Sequence, residues 1–205
     1  MVWSVVALKC LGYPDDSPEV QYCRQQLQDL VLEDEQSGTA RLQPCKSPVW
    51  DTAITIRALA ASGIRPDNPA IREAIEWLLT RQITRRGDWA ETVDVEPGGW
   101  CFEYANDFYP DCDDTAMALL ALQTQFSDAA AGHAALPPEL QLADETREEA
   151  LQRIASMEQT VSAIDQGLQW LLAMQNRDGG WGAFDRNNDR EFLCHVPFAD
   201  HNAMI

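Results

Sequence analysis

The chain repeats itself, and that repetition limits its fold more than any other feature. "DTAITIRALAASG" from Asp51 and "DTAMALLALQTQF" from Asp114 share Asp-Thr-Ala and then Ala-Leu at the same offset. In both, an aspartate stands where a helix cap belongs, and apolar residues follow at i, i+3, i+4 spacing. "SPEVQYC" and "NPAIREA" each place a cap residue (Ser17, Asn68) before a proline (Pro18, Pro69), the favoured first helical position. "ALKCLG" and "ALAASG" close the preceding helices on Gly12 and Gly63. Helix, short turn and helix therefore recur at a period of roughly 50 to 65 residues, the range of helical-repeat architectures. The reading is all-α.

A second repeat overlies the first. "AIEWLLTRQITRRGDW" (residues 74–89) and "GLQWLLAMQNRDGGW" (residues 167–181) share small-x-x-Trp-Leu-x3-Gln and then Gly-x-Trp. Each helix carries Trp77 or Trp170 on its buried side and ends near Gln82 or Gln175. The glycine then lets the terminal Trp fold back. These tryptophans read as packing at helix ends, not chemistry.

The same register expects a cap just before Met1, and "PFADHNAMI" stops without helical periodicity. Repeat arrays need capping ends, so the expectation is a fragment, incomplete at both ends. Residues 126–159 read as an insertion between repeats: a loop with Pro137 and Pro138, then a charged amphipathic helix, with His133 in solvent.

A net charge of −18 excludes a nucleic-acid partner, which would need clustered Lys and Arg. The six cysteines form no C-x-x-C pair and read as reduced thiols. The first residues lack the basic region and cleavage site of a signal peptide, and no run is long and apolar enough for a spanning helix.

Against this scaffold, "YPDCDDTAMALLAL" (residues 109–122) stands out. Asp114 aligns with Asp51 and reads as a helix-terminal residue. Asp113 aligns with Trp50 and Asp111 with Pro48, so the scaffold forms a helix without those two carboxylates. They read as surplus to capping. A divalent metal site, a solvated acidic loop and a general acid all remain open. In the third, crowded carboxylates cannot all ionise cheaply, so one stays protonated. Trp100, Phe102, Tyr104, Phe108 and Tyr109 would suit a pocket that stabilises a cation on ring faces; ordinary core packing is the alternative.

"PGGWCFEYANDFYPDCDDTAMALLAL", "LQPCKSPVWDTA", the two Gln…Gly-x-Trp motifs and "GGWGAFDRNN…CHVPFADHNAM" together resemble the squalene-hopene cyclases. These are class II triterpene cyclases with an Asp-x-Asp-Asp motif and repeated QW motifs. The resemblance runs along the chain except residues 126–159. It implies an α/α barrel, here as one partial domain over residues 1–205 with the family's second domain absent. It implies cyclisation of squalene to hopene or hopanol with no metal and no organic cofactor. It also implies peripheral attachment to the cytoplasmic side of a membrane through regions outside this chain, and a homodimer for the full-length protein.

Residue by residue, Asp113 resembles the proton donor, Asp111 and Asp114 its flanking carboxylates, and His195 the histidine that hydrogen-bonds the acid. Trp50 and Phe102 match cavity-lining aromatics, Tyr109 joins the pocket, and Asp51 matches a supporting acidic residue. His201 reads as structural. Two other enzyme readings stay open. A class II diterpene cyclase would need a Lys/Arg cluster for its diphosphate substrate, and none is evident. A zinc-dependent prenyltransferase β-subunit would need Asp111, Cys112 and His195 on one metal, awkward for adjacent Asp and Cys. A non-catalytic helical-repeat module is the remaining alternative.

Overall fold

The computed structural model describes residues 2–34, 36–43, 45–104, 106–126, 147–182, 186 and 203–204. They are predominantly helical, and the chain divides into two compact units, Met1–Lys46 and Ser47–Ile205.

In the first unit, α1 (Val2–Cys10) packs on α2 (Pro18–Gln28), and a hairpin pairs β1 (Val31–Asp34) with β2 (Thr39–Leu42). The hairpin departs from the all-α reading. Its turn is held by Asp34, whose carboxylate accepts from the Ser37 hydroxyl and from the backbone N–H groups of Gln36 and Ser37.

The glycine repeat is a conformational repeat. Gly12 and Gly63 share φ of 87°. At α1 the N–H of Gly12 reaches Lys9 O and that of Tyr13 reaches Leu8 O. At α3 (Pro48–Ala61), Gly63 reaches Ala60 O and Ile64 reaches Leu59 O. This paired closure needs a left-handed residue, which glycine supplies without a Cβ penalty.

In the second unit, α3 packs against α4 (Pro69–Leu79) and α5 (Cys112–Gln123), and α5 packs in turn on α6 (Arg147–Ala173). Val49, Ala53 and Ile56 meet Ile71, Ile75 and Leu78 of α4 and Ala118, Ala121 and Leu122 of α5 in one apolar core. Trp100 is fully buried there, and its indole N–H donates to Leu78 O at 2.9 Å. A smaller cluster joins Trp89, Val93, Cys112, Trp170 and Met174, with the Trp89 and Trp170 rings edge to face at 6.0 Å. The charged segment expected within the insertion is continuous with the Trp170 helix: α6 runs unbroken from Arg147 to Ala173. Pro137, Pro138 and His133 lie outside the described residues. A two-residue bridge pairs β3 (Trp181–Gly182) with β4 (Ala203–Met204).

The glutamine and tryptophan side chains of the second repeat tie its helix ends to backbone nearby. Gln82 donates to both Gly98 O and Ala163 O, Gln175 to Gly179 O, and the Trp181 indole to Leu171 O. Trp77 differs from Trp170 in being only half-buried, with Arg81 stacked 5.1 Å above its ring.

The small residue that opens the second QW motif also has a packing reason. A Cβ on Gly167 would sit 2.8 Å from Trp100 Cζ3 and 3.0 Å from Leu119 Cδ2. Alanine normally stabilises a helix interior relative to glycine. Here the order reverses, because the Trp100 ring is pinned by its hydrogen bond and cannot retreat. Gly167→Ala is expected to destabilise the second unit by roughly 1–3 kcal/mol, read as a lower urea midpoint.

Candidate active site

The acidic cluster occupies the first turn of α5. Asp111 has extended backbone (φ −125°, ψ 160°), and its carboxylate accepts from the Asp114 N–H at 2.7 Å. Its own N–H donates to Trp100 O at 3.0 Å, forming an antiparallel bridge between the two residues. Asp111 is therefore the N-cap. This corrects the expectation that it is surplus to capping, and that Asp114 takes the terminal role: Asp114 sits three residues inside.

The repeat misled because the two helices start one residue apart. In α3 the cap position is Ser47, Pro48 follows, and Asp51 lies within the first turn, accepting from the Ser47 hydroxyl at 2.9 Å. Asp51 is thus not the cap either.

Burial decides the electrostatics. Asp111 and Asp114 are 4% and 2% exposed, whereas Asp113 between them is half-buried. Desolvation pushes the Asp111 carboxyl up to about 9, reinforced by the charge of Asp114; the hydrogen bond from the Asp114 N–H opposes the rise. Desolvation likewise lifts Asp114 to about 6, with the Asp111 hydrogen bond pulling down and the Asp113 charge pushing up. The helix N-terminus favours negative charge, yet burial wins. Near neutral pH the Asp111–Asp114 pair retains a proton, and Asp113 stands beside it in the same turn.

The aromatic residues divide. Trp100 is core, so its place among the pocket candidates is corrected. Phe102 and Trp50 are half-buried, while Tyr104, Phe108 and Tyr109 are each more than half exposed. The loop that carries them is fastened to the end of α4. Arg81 donates to Tyr104 O at 3.1 Å, and the Tyr104 ring meets Trp77 edge-on at 6.4 Å. Gly87 has no room for a Cβ, which would lie 2.5 Å from Phe108 O. Asp51 is exposed and borders a groove of about 310 Å³ with Thr52, Thr55, Leu59 and Ala70. His195 and His201 lie outside the described residues.

Cys112 turns into the apolar cluster of Trp89, Val93, Trp170 and Met174. Among the described residues no three His, Cys, Asp or Glu side chains are grouped to hold a metal ion. No helix among them is long and apolar enough to cross a membrane.

The profile of the squalene-hopene cyclase C-terminal domain matches residues 46–136 and 145–205. The chain belongs to the squalene-hopene cyclase family. The match begins one residue before the second compact unit, and residues 137–144 fall between its two parts. A squalene-hopene cyclase of Schizosaccharomyces japonicus is 35% identical over all of this chain and 28% of its own length. That of Alicyclobacillus acidocaldarius is 39% identical over 80% of this chain and 22% of its own. A dammaradiene synthase from the fern Dryopteris crassirhizoma is 36% identical over all of this chain and 26% of its own. The chain thus spans about a quarter of the length of these cyclase relatives.

One residue that the motifs did not single out joins the acidic turn. Thr115 is fully buried, and its hydroxyl accepts from the Trp100 N–H at 2.9 Å. The Asp-Thr-Ala shared by both repeats was its only trace in the sequence.

Proposed function

We propose that this chain is the acid-bearing part of an α/α-barrel squalene cyclase, and that Asp113 protonates a terminal alkene of squalene to start cationic ring closure. The observation that carries this reading is the buried Asp111–Asp114 pair, which keeps a proton in the turn that presents Asp113.

An unactivated alkene is a very weak base, so its acid must be loaded at rest and strong when it acts. In this turn, desolvation holds a proton on the Asp111–Asp114 pair beside Asp113. A hydrogen bond from His195 to the conjugate base, as the family resemblance implies, would restore acid strength as the proton leaves. The O–H bond breaks, a new C–H bond forms at the terminal alkene carbon, and the positive charge passes along successive ring closures. The final cation loses a proton to give hopene or takes up water to give hopanol. Trp50, Phe102 and Tyr109 are proposed to offer ring faces to the moving cation, with Asp51 in the supporting acidic network. Water must be kept out, or the cation is quenched early.

Squalene is apolar and partitions into bilayers, which supports peripheral action of the full-length protein at one leaflet; the cytoplasmic side is what the family resemblance implies. The family resemblance also supports pairing of two copies. Metal and organic cofactors have no part in this scheme.

The test is isotopic. When the full-length protein turns over unlabelled squalene in D2O, each product molecule should gain one non-exchangeable deuterium, on the ring CH2 carbon next to the gem-dimethyl carbon, which was the CH carbon of the terminal alkene. Product formed without deuterium there would refute proton initiation.

A further inference from the structure

Four backbone and side-chain bonds converge where the acid helix begins. Asp111 N–H donates to Trp100 O at 3.0 Å, and Trp100 N–H donates to Thr115 Oγ1 at 2.9 Å. Thr115 N–H donates to Asp111 O at 3.2 Å, and the Trp100 indole is anchored on Leu78 O at 2.9 Å. Space is equally constrained. A Cβ on the neighbouring Gly99 would lie 3.0 Å from Thr115 Oγ1 and 2.9 Å from Pro110 Cβ. The extended stretch through Gly99 and Trp100 is thus fixed on one side by the core and on the other by the first turn of α5. Phe102 lies two residues beyond Trp100, and Asp113 two residues before Thr115.

We propose that Thr115 is a positioning residue for the cyclisation: its buried hydroxyl joins the segment leading to Phe102 to the helix turn bearing Asp113, and so sets where an aromatic face stands relative to the proton source. This rests on the proposed cyclase function. A helix start needs only a cap, and Asp111 supplies one. The Thr115 hydroxyl does something else, since it reaches across to another segment and satisfies a backbone N–H that would otherwise be buried without an acceptor. Ring closure through a cation depends on placement at the sub-ångström scale. Loosening this junction should therefore alter where the cascade stops, besides lowering stability.

Thr115→Val, nearly the same in volume but without the oxygen, is tested against Thr115→Ser in the full-length protein. Products are compared by gas chromatography at a temperature where circular dichroism shows each variant folded. The expected result is a severalfold rise in the ratio of incompletely to fully cyclised product for Thr115→Val, with Thr115→Ser restoring the wild-type ratio. Loss of folded protein alone would lower all products together and leave the ratio unchanged, so an unchanged ratio overturns the proposal. Where Thr115→Val does not fold, Thr115→Ala removes the same oxygen without a second methyl and is judged by the same ratio. Absence of cyclised product from the wild-type protein would instead count against the cyclase function itself.

Discussion

Asp111→Asn is expected to remove much of the pH dependence of this protein's stability. Asparagine caps a helix about as well as aspartate, and its carbonyl oxygen can still accept from the Asp114 N–H. What it removes is a carboxyl that must be desolvated when charged. The folded chain holds the Asp111 proton up to about 9 and the Asp114 proton up to about 6, against an ordinary value of 3.8. A group held above its unfolded value contributes stability that is complete below the unfolded value and is lost as pH rises through the folded one. The wild-type second unit should accordingly lose several kcal/mol as pH rises from about 4, first through the Asp114 range and then towards the Asp111 range. In Asp111→Asn the loss above about pH 6 should disappear, leaving a shallower slope from Asp114. Urea midpoints followed by tryptophan circular dichroism at several pH values measure this directly. A wild-type midpoint that stays level or rises over that range would show that the pair is not protonated in the folded protein.

Much of the fold was legible because its signals are local. A proline after Ser17 or Asn68 fixes a helix start, and a glycine at φ 87° fixes a helix end in both repeats. The Gln-to-Trp spacing likewise marks a helix end, which a glutamine amide ties to backbone outside that helix. The hairpin of the first unit was not legible, since Asp34 and Ser37 hold its turn with side-chain bonds in a polar stretch that shows no apolar alternation. The extent of α6 was missed for another reason. Its charged first half and its Trp-bearing second half differ in composition, yet nothing in the backbone interrupts them.

At the site, sequence located the carboxylates but misassigned their structural duties. Aligning Asp114 on Asp51 assumed that both helices begin at the same register. Pro48 starts α3 directly after Ser47, whereas α5 begins at Cys112, capped by an aspartate that also bridges to Trp100. A one-residue offset of that kind leaves no mark in a repeat of apolar positions. Burial was equally hidden. Trp100 and Phe102 are both aromatic and two residues apart, yet only the first is wholly in the core, where its indole bonds Leu78 O and its backbone is paired with Thr115 and Asp111. Thr115 was visible merely as a shared letter, because its role depends on a segment fifteen residues away.

The proton donor itself remains the centre of the proposed chemistry. Asp113 is the one member of the acidic turn that is neither the cap nor fully buried, which supports the proposal that it is the carboxyl that meets the substrate. Asp113→Asn keeps the size and the helix position but cannot deliver a proton. General acids commonly contribute up to about ten-thousandfold in rate, and here the loss should be at least that large, because an alkene takes no proton from water near neutral pH. The decisive measurement is squalene turnover by the Asp113→Asn protein in its full-length context, with circular dichroism matching wild type. No detectable cyclised product is the expected result; turnover at the wild-type rate would contradict the assignment of Asp113 as the acid.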